Sequence, residues 1–164
     1  MSNYWNTSGI PHRGWILENV IDIREDGQSI EETEYETCMM CNNERIRFVH
    51  IVSHKDFGEK LKVGCVCAEK MTDDYINPKK HERKLKNKAQ RRINWLKKDW
   101  KTSKNGNLFS EVNGYHILIY KDKRTKKFKC KIGENFGKKQ FDTIELAKVA
   151  AFDGIEYYKE KNEW

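Results

Sequence analysis

The sequence lacks the features of a membrane-spanning, secreted or linker-like chain. No stretch approaches the ~20 consecutive apolar residues that cross a bilayer, and Met1–Asn6 does not combine a basic start with an apolar run. Only two prolines and ten glycines occur among 164 residues, unlike a flexible linker. We therefore expect a cytoplasmic protein without a membrane partner. The length also excludes an α/β barrel or a doubly wound dinucleotide-binding fold.

Positive charge is unevenly distributed along the chain. The net charge is +7, yet residues 1–37 carry two basic and eight acidic side chains, whereas residues 79–101 carry eleven basic and two acidic ones. Clustered lysine and arginine side chains are typical of a surface that binds nucleic acid, and a solvated helix is the alternative interpretation. The aromatic content of 12% is enough to build a folded core despite 35% charged residues.

Four of the five cysteines form two close pairs. Cys38 and Cys41 are separated by two residues, Cys65 and Cys67 by one, and 23 residues lie between the pairs. Thiols of an intracellular protein stay reduced, so such pairs indicate metal ligands rather than disulfides. Zinc takes four nitrogen or sulfur ligands in a tetrahedron, which predicts a structural Zn²⁺ with no open position for catalysis. The predicted ligands are Cys38, Cys41, Cys65 and Cys67, with His50 or His54 as the alternative to one of the second pair.

The residues around these pairs extend the zinc prediction to a fold. Asn42 and Asn43 follow the first pair as in a metal-binding knuckle, and Arg45–Val52 alternates as a strand. The segment Val63–Ala68 (Val-Gly-Cys-Val-Cys-Ala) precedes a predicted helix. Knuckle, hairpin and ligand-bearing helix start together resemble a treble-clef zinc finger over about residues 36–72. A structural ion also suits a small polar module, because metal binding supplies folding energy directly.

A basic helix is predicted to follow from Pro78 to Lys101. Proline suits a first helical position, and apolar residues recur every three or four positions along one stripe. Trp95 lies off this stripe and is expected to cover a neighbouring module. The stripe consists of Leu85, Ala89, Ile93, Leu96 and Trp100. The basic side chains outside it, predicted to contact phosphates, are Arg83, Lys84, Lys88, Arg91, Lys97 and Lys98.

The C-terminal third is predicted to be a small sheet covered by one helix. Gly114–Tyr120 and Lys127–Ile132 are predicted as strands from their composition and alternation. Lys138–Phe141 is predicted as a short third strand. Thr143 is a candidate N-cap for a helix over Ile144–Tyr158.

This order of three strands and one helix resembles the ethylene-response-factor type of DNA-binding domain, found in plant factors and in phage and bacterial homing endonucleases and integrases. Gly114-Tyr115 and the run from Phe141 to Asp153 carry the likeness, which covers about 50 residues. The resemblance implies that the open sheet face enters a DNA major groove, and a solvated lysine face is the alternative. The side chains predicted on that face are Lys127, Lys129, Lys131, His116, Leu118 and Tyr120.

Together these patterns predict an α+β fold of three parts. They are a zinc-binding module at 1–72, a basic helical connector at 73–107, and a three-stranded antiparallel sheet packed by one helix at 108–164. The predicted function is zinc-containing nucleic-acid binding, with double-stranded DNA favoured and phosphate contacts dominant. The abundance of lysine, asparagine and isoleucine suggests a bacterial or phage source.

Two other functions remain open. A zinc-stapled adaptor or regulatory protein could use the acidic residues of segment 18–36 to bind a basic protein partner. A metal-dependent nuclease could place His50, His54 and Asp56 around a cation. The sequence has no nucleophile elbow and no phosphate-binding glycine loop, so we expect the protein not to be an enzyme.

Overall fold

The computed structural model describes residues 3–25 and 28–162, and the turn that Asp26 and Gly27 predict lies outside them. The chain divides into two compact units, Met1–Lys88 and Ala89–Trp164. Each unit contains one antiparallel sheet, of three strands in the first and five in the second, so the α+β class is confirmed. The boundary falls inside the basic helix, which the sequence predicted as part of a separate connector. Among the described residues, none of the helices combines the length and apolarity needed to cross a membrane.

The first unit is built on three antiparallel strands in sequential order, β1 (Ile16–Asp22), β2 (Phe48–His54) and β3 (Phe57–Val63). The central strand β2 pairs on both edges, and four of its first five side chains are buried. Helix α1 (Cys65–Thr72) follows β3 directly, with Gly64 as its extended N-cap residue. The fully buried core of this unit includes Met40, Val52, Leu61, Val63, Ala68 and Met71.

Helix α2 (Asn77–Lys97) begins at a cap built by an aspartate. Asp74 Oδ1 accepts hydrogen bonds from the N–H groups of Ile76 and Asn77, each at 2.9 Å. These bonds satisfy backbone donors that a helix start leaves without partners. The helix ends four residues before the predicted end at Lys101, because that residue begins a strand of the second sheet.

The predicted apolar stripe along α2 is wrong at Ile93, which is 46% exposed. Trp95, placed off the stripe and expected to cover a neighbouring module, is 7% exposed. The Trp95 Nε1–H donates to the Lys148 carbonyl oxygen at 2.9 Å, and its ring meets Phe152 edge-on. The two halves of α2 belong to different units, so a single stripe does not describe the packing of the whole helix.

The second unit contains a five-stranded antiparallel sheet instead of the predicted three strands. Asn113 and Gly114 form the turn of a central hairpin with φ angles of 51° and 82°, the left-handed conformation that Asn-Gly favours. The predicted third strand Lys138–Phe141 contributes only a bridge between Phe141 and Phe128. The strands, in sequential spatial order, are β4 (Lys101–Thr102), β5 (Leu108–Val112), β6 (Tyr115–Lys121), β7 (Phe128–Ile132) and β8 (Asn135–Phe136).

Helix α3 (Ile144–Asn162) packs on β6 and β7 through small side chains. Thr143 caps it as predicted, because its Oγ1 accepts a hydrogen bond from the Leu146 N–H at 3.2 Å. A Cβ added at Gly154 would come within 2.6 Å of Ile132 Cδ1, so this close approach depends on glycine. The sheet and helix thereby form the second core, which also holds Cys130 as a buried thiol.

Candidate metal centre and nucleic-acid interface

Three of the four predicted cysteine ligands come together in the first unit. The Sγ atoms of Cys38, Cys41 and Cys67 all lie within 4.8 Å of one another, and all three thiols are free. We call this group the three-thiol cluster. Cys38 and Cys67 are buried, whereas Cys41 is exposed. Three free thiols at this separation can ligate one metal ion.

A tight turn brings Cys38 and Cys41 to the same point. The Asn42 N–H donates to the Cys38 carbonyl oxygen, and the Cys38 N–H donates to the Asn43 carbonyl oxygen, each at 2.8 Å. Asn42 has a φ of 63°, a left-handed conformation that asparagine tolerates better than most residues. Cys67 reaches the same point from the first turn of α1. The asparagine after the cysteine pair is therefore part of the ligand geometry.

The surroundings of the three-thiol cluster favour negative charge on one sulfur. The Gly64 N–H donates to Cys38 Sγ at 3.5 Å, and the Trp5 Nε1–H donates to Cys67 Sγ at 3.4 Å. A hydrogen bond from Cys67, supported by backbone N–H donors, lowers the pKa of Cys38 to about 5 against the opposing effect of burial. The same hydrogen bond, followed by burial, raises the pKa of Cys67. N–H donors of this kind also orient thiolates that hold a metal.

Cys65 is not part of the three-thiol cluster, which corrects the predicted four-cysteine set. An α-helix turns about 100° per residue, so Cys65 and Cys67 at the start of α1 point to opposite sides. Cys65 lies instead with His50 of β2 and Glu82 of α2, with donor atoms again within 4.8 Å of one another. Within the described part of the chain, no fourth Cys, His, Asp or Glu side chain joins the three-thiol cluster.

The two histidines predicted as alternative ligands lie outside the three-thiol cluster. His54 ends β2, where its ring packs against Trp15 and its Nδ1 accepts a hydrogen bond from the Asp56 N–H at 3.0 Å. His50 is fully buried and belongs to the group with Glu82. His50, His54 and Asp56 form no common donor group among the described residues. Sequence reasoning missed Glu82, although a single acidic residue within the basic helix is a detectable signal.

The basic side chains of α2 that were predicted to contact phosphates differ in whether they already contact other residues of the protein. Arg91 donates to both carboxylate oxygens of Glu156, at 3.2 and 2.8 Å, so its charge is already engaged. Lys98 Nζ lies 5.5 Å from the centroid of the Trp95 ring. The remaining members form no ion pair within residues 3–25 and 28–162; they are Arg83, Lys84, Lys88 and Lys97.

One face of the five-stranded sheet is not covered by α3 and combines aromatic with basic side chains. Paired residues of adjacent strands share a face, and the register links Phe109 to Leu118, Leu118 to Lys131, and Lys131 to Phe136. Tyr120 pairs with Lys129 on the same side. We call this the open face. Its residues are Lys101, Phe109, Glu111, His116, Leu118, Tyr120, Lys129, Lys131 and Phe136.

Phe136 is the most exposed ring of the open face, whereas Phe109 and Tyr120 are half-buried. Phe136 is 64% exposed, and Lys131 Nζ lies 4.6 Å from the centroid of its ring. His116 stacks on Phe109 with ring centroids 5.6 Å apart. Each lysine predicted for this face has a carboxylate neighbour. The pairs are Lys127–Asp142 at 3.4 Å, Lys129–Asp122 at 3.2 Å and Lys131–Glu134 at 4.0 Å.

In comparisons with protein-family models, curated proteins and solved structures, no match to this chain was found. The function is therefore inferred from the arrangement and chemistry of its own residues.

Proposed function

We propose that the protein binds nucleic acid mainly through the sheet of its second unit, with added phosphate contacts from α2, and that a structural zinc ion stabilises its first unit. The main evidence for nucleic-acid binding is the open face, which places an exposed phenylalanine and a tyrosine beside lysine side chains on a sheet. Unpaired bases stack on aromatic rings of such surfaces while nearby cations neutralise the phosphates.

Zinc suits the three-thiol cluster in ligand type and in position. Thiolates are soft ligands that zinc binds at about 2.3 Å. The N–H donors to Cys38 and Cys67 are of the kind that supports metal-bound thiolates. An ion held by these three thiolates would link the turn before β2 to the start of α1. Such a cross-link stabilises a unit whose hydrophobic core is small.

The open face favours single-stranded over double-stranded nucleic acid. Bases in a duplex are stacked on one another, whereas an unpaired base can stack on an exposed ring such as that of Phe136. Lys129 and Lys131 have carboxylate neighbours within 4.0 Å, which reduces the charge that they offer to the phosphates of either form, so the preference rests on base stacking. The preference differs from the duplex DNA that the family resemblance implies, and a binding assay separates the two.

Affinity that is independent of sequence comes from the basic residues of α2 that form no ion pair within the described residues, namely Arg83, Lys84, Lys88 and Lys97. They can neutralise phosphates and release counterions, so binding is expected to weaken as salt rises. Each neutralised phosphate contributes about 0.7 to the logarithmic salt slope on single strands and about 0.9 on duplex DNA. Arg91 is left out of this set, since Glu156 already holds its guanidinium.

Fluorescence anisotropy with labelled oligonucleotides tests the proposal. Zinc-loaded protein is titrated into a single-stranded DNA, the corresponding RNA and the duplex of the same sequence, at two salt concentrations. Phe136→Ala is expected to weaken single-strand binding at least about 5-fold, the effect of one lost stacking contact of roughly 1 kcal/mol. Tyr157→Ala is the matched control, because Tyr157 is 57% exposed in the same unit but lies on α3.

The possible outcomes discriminate between the functions. An equal loss of affinity in both variants, or no binding to any oligonucleotide, contradicts the proposed interface. Bound zinc without nucleic-acid binding favours the adaptor function, and the search then turns to a protein partner. Tighter duplex binding that Phe136→Ala leaves unchanged favours the groove-binding mode that the resemblance implies.

A further inference from the structure

A second group of metal-type donors lies apart from the three-thiol cluster. It joins His50 of β2, Cys65 of α1 and Glu82 of α2, whose donor atoms lie within 4.8 Å of one another. The His50 side chain is 0% exposed and that of Glu82 is 17% exposed. Three separate elements of the first unit thus direct a nitrogen, a sulfur and an oxygen to one largely buried point. We call this group the mixed-donor cluster.

Each ring nitrogen of His50 lies near a carbonyl oxygen. Nδ1 is 3.2 Å from the Phe48 carbonyl oxygen, and Nε2 is 3.3 Å from the Pro78 carbonyl oxygen and 3.7 Å from Glu82 Oε2. A carbonyl oxygen accepts hydrogen bonds but donates none. When Nδ1–H donates to Phe48 and Nε2 is unprotonated, the lone pair of Nε2 is directed toward Glu82 and can bind a cation. Metal-bound histidines likewise donate one ring N–H to a carbonyl and use the other nitrogen as the ligand.

One carboxylate belongs to the cluster and a second lies beside it, and a lysine contacts each of them. Glu82 Oε1 lies 3.0 Å from Lys86 Nζ, which leaves Oε2 directed toward the imidazole. Glu69 is 4% exposed and places Oε2 3.3 Å from Lys79 Nζ and Oε1 3.6 Å from Cys65 Sγ. Both acids therefore pair one oxygen with a surface lysine and direct the other inward. Nitrogen, sulfur and oxygen donors thus meet at one point, and both lysine charges lie on its outer side.

We propose that the mixed-donor cluster binds a second divalent metal ion of the zinc type, through His50 Nε2, Cys65 Sγ and the inner oxygen of Glu82. Bonds of about 2.0 Å to nitrogen or oxygen and about 2.3 Å to sulfur place tetrahedral ligands roughly 3.3–3.5 Å apart. The separation of 3.7 Å from His50 Nε2 to Glu82 Oε2 is close to this range, and the donor atoms of all three residues lie within 4.8 Å of one another. Small side-chain movements suffice to close the set around an ion.

A nucleophilic role for Cys65 fits the same geometry poorly. Its thiol lies beside carboxylates, with Sγ 3.6 Å from Glu69 Oε1 and within 4.8 Å of a Glu82 oxygen. A reactive cysteine needs positive surroundings that favour the thiolate. A bound cation supplies such a charge and deprotonates the thiol that coordinates it.

The second ion has a structural consequence for the first unit. Its ligands lie on β2, α1 and α2, so one ion fastens the start of the basic helix to the sheet and to the preceding helix. Arg83 follows Glu82 directly, and Lys84 is next along the helix. The ion therefore orders the part of α2 that carries these two charges.

Metal counting tests the proposal. The protein is loaded with Zn²⁺, freed of loosely bound metal and analysed by mass spectrometry of its metal content. The wild type is expected to hold two ions per chain. Glu82→Gln and Cys65→Ser are each expected to bind the second ion at least about 10-fold more weakly, the lower range for damaged metal sites. Lys86→Ala is the matched control, because it removes only the partner of the outer oxygen and is expected to keep both ions.

Titration of the metal-free protein with Co²⁺ identifies which site is lost. Thiolate-to-cobalt absorption rises with the number of thiolates, so the three-thiol cluster dominates the spectrum and persists in Glu82→Gln. Cys41→Ser is expected to remove most of that absorption and to keep the second ion. One ion per wild-type chain that shows the strong thiolate-to-cobalt absorption of the three-thiol cluster overturns the proposal, as do two ions retained in both Glu82→Gln and Cys65→Ser. The wild-type count and spectrum decide the question even if a variant unfolds, and no readout depends on nucleic acid.

Discussion

The ion pair between Arg91 and Glu156 separates a structural role from a nucleic-acid-binding role within the basic helix. The Glu156 side chain is 8% exposed, and Arg91 donates two hydrogen bonds to it, at 3.2 and 2.8 Å. Breaking a fully buried pair costs about 3–5 kcal/mol. Arg91 itself is 47% exposed and Lys159 stays 3.7 Å from the carboxylate, so solvent and a second cation reduce the loss. We expect Arg91→Ala to lower the free energy of unfolding of the second unit by about 2 kcal/mol.

Urea unfolding followed by tryptophan fluorescence and circular dichroism measures this loss. With an m-value of roughly 1–3 kcal/mol/M, the midpoint of the second unit is expected to fall by about 1 M. Arg83→Ala is the matched control, since it removes a basic residue of α2 that forms no ion pair within the described residues. It is expected to weaken nucleic-acid binding and leave the midpoint unchanged.

A double-mutant cycle assigns the effect to the pair. Combining Arg91→Ala with Glu156→Gln isolates the coupling energy from other consequences of each substitution. A coupling energy below about 0.5 kcal/mol refutes the reasoning, because independent sites add within that margin. A loss of oligonucleotide affinity in Arg91→Ala without a loss of stability also refutes it, and returns this arginine to the phosphate-binding set.

The core, the metal and the pH response provide three more tests. Trp95→Ala is expected to cost about 3–5 kcal/mol in urea unfolding because the indole is buried, whereas Ile93→Ala, 46% exposed, is expected to cost under about 1 kcal/mol. Chelation of zinc is expected to lower the melting temperature of the first unit, with recovery on adding Zn²⁺; an unchanged transition contradicts a structural ion. The metal-free protein is expected to lose stability as pH falls from about 9 toward about 5. Between these values Cys38 is a thiolate in the folded protein and a thiol in the unfolded chain, so the unfolded chain binds more protons. The raised pKa of Cys67 changes the free energy of unfolding only at pH values above the pKa of an unfolded cysteine. Cys38→Ser is therefore expected to remove the fall in the free energy of unfolding between pH 9 and 5, as measured by urea unfolding at each pH.

Local sequence patterns predicted much of the secondary structure. Gly114–Tyr120 and Lys127–Ile132 correspond to β6 and β7 within one residue at each end, and Thr143 caps α3. The predicted strand Arg45–Val52 begins three residues later, at Phe48. Alternation succeeds for these strands because one face packs against a core and the other meets solvent.

The strands that the sequence did not predict depend on their neighbours. β5 is short and includes the polar residues Ser110 and Glu111, so its pattern is weak, and pairing with β6 across an Asn-Gly turn stabilises it. β4 and β8 are two residues each and exist through pairing at the sheet edges. A sheet of five strands was therefore not deducible from periodicity within single segments.

By itself, the sequence determined the α+β class, the turn that joins Cys38 to Cys41, and the concentration of positive charge in α2, because these follow from residue types and spacings within short segments. Only the tertiary structure decided which possible metal ligands belong to the three-thiol cluster and which to the mixed-donor cluster. It assigns Cys67 to the three-thiol cluster and Cys65 to His50 and Glu82. It likewise places Arg91 in an ion pair with Glu156, which is 65 residues away in the sequence. Ligand sets and ion pairs depend on distance in space and on the face that a helix turns toward its sheet, and neither is encoded by spacing along the chain.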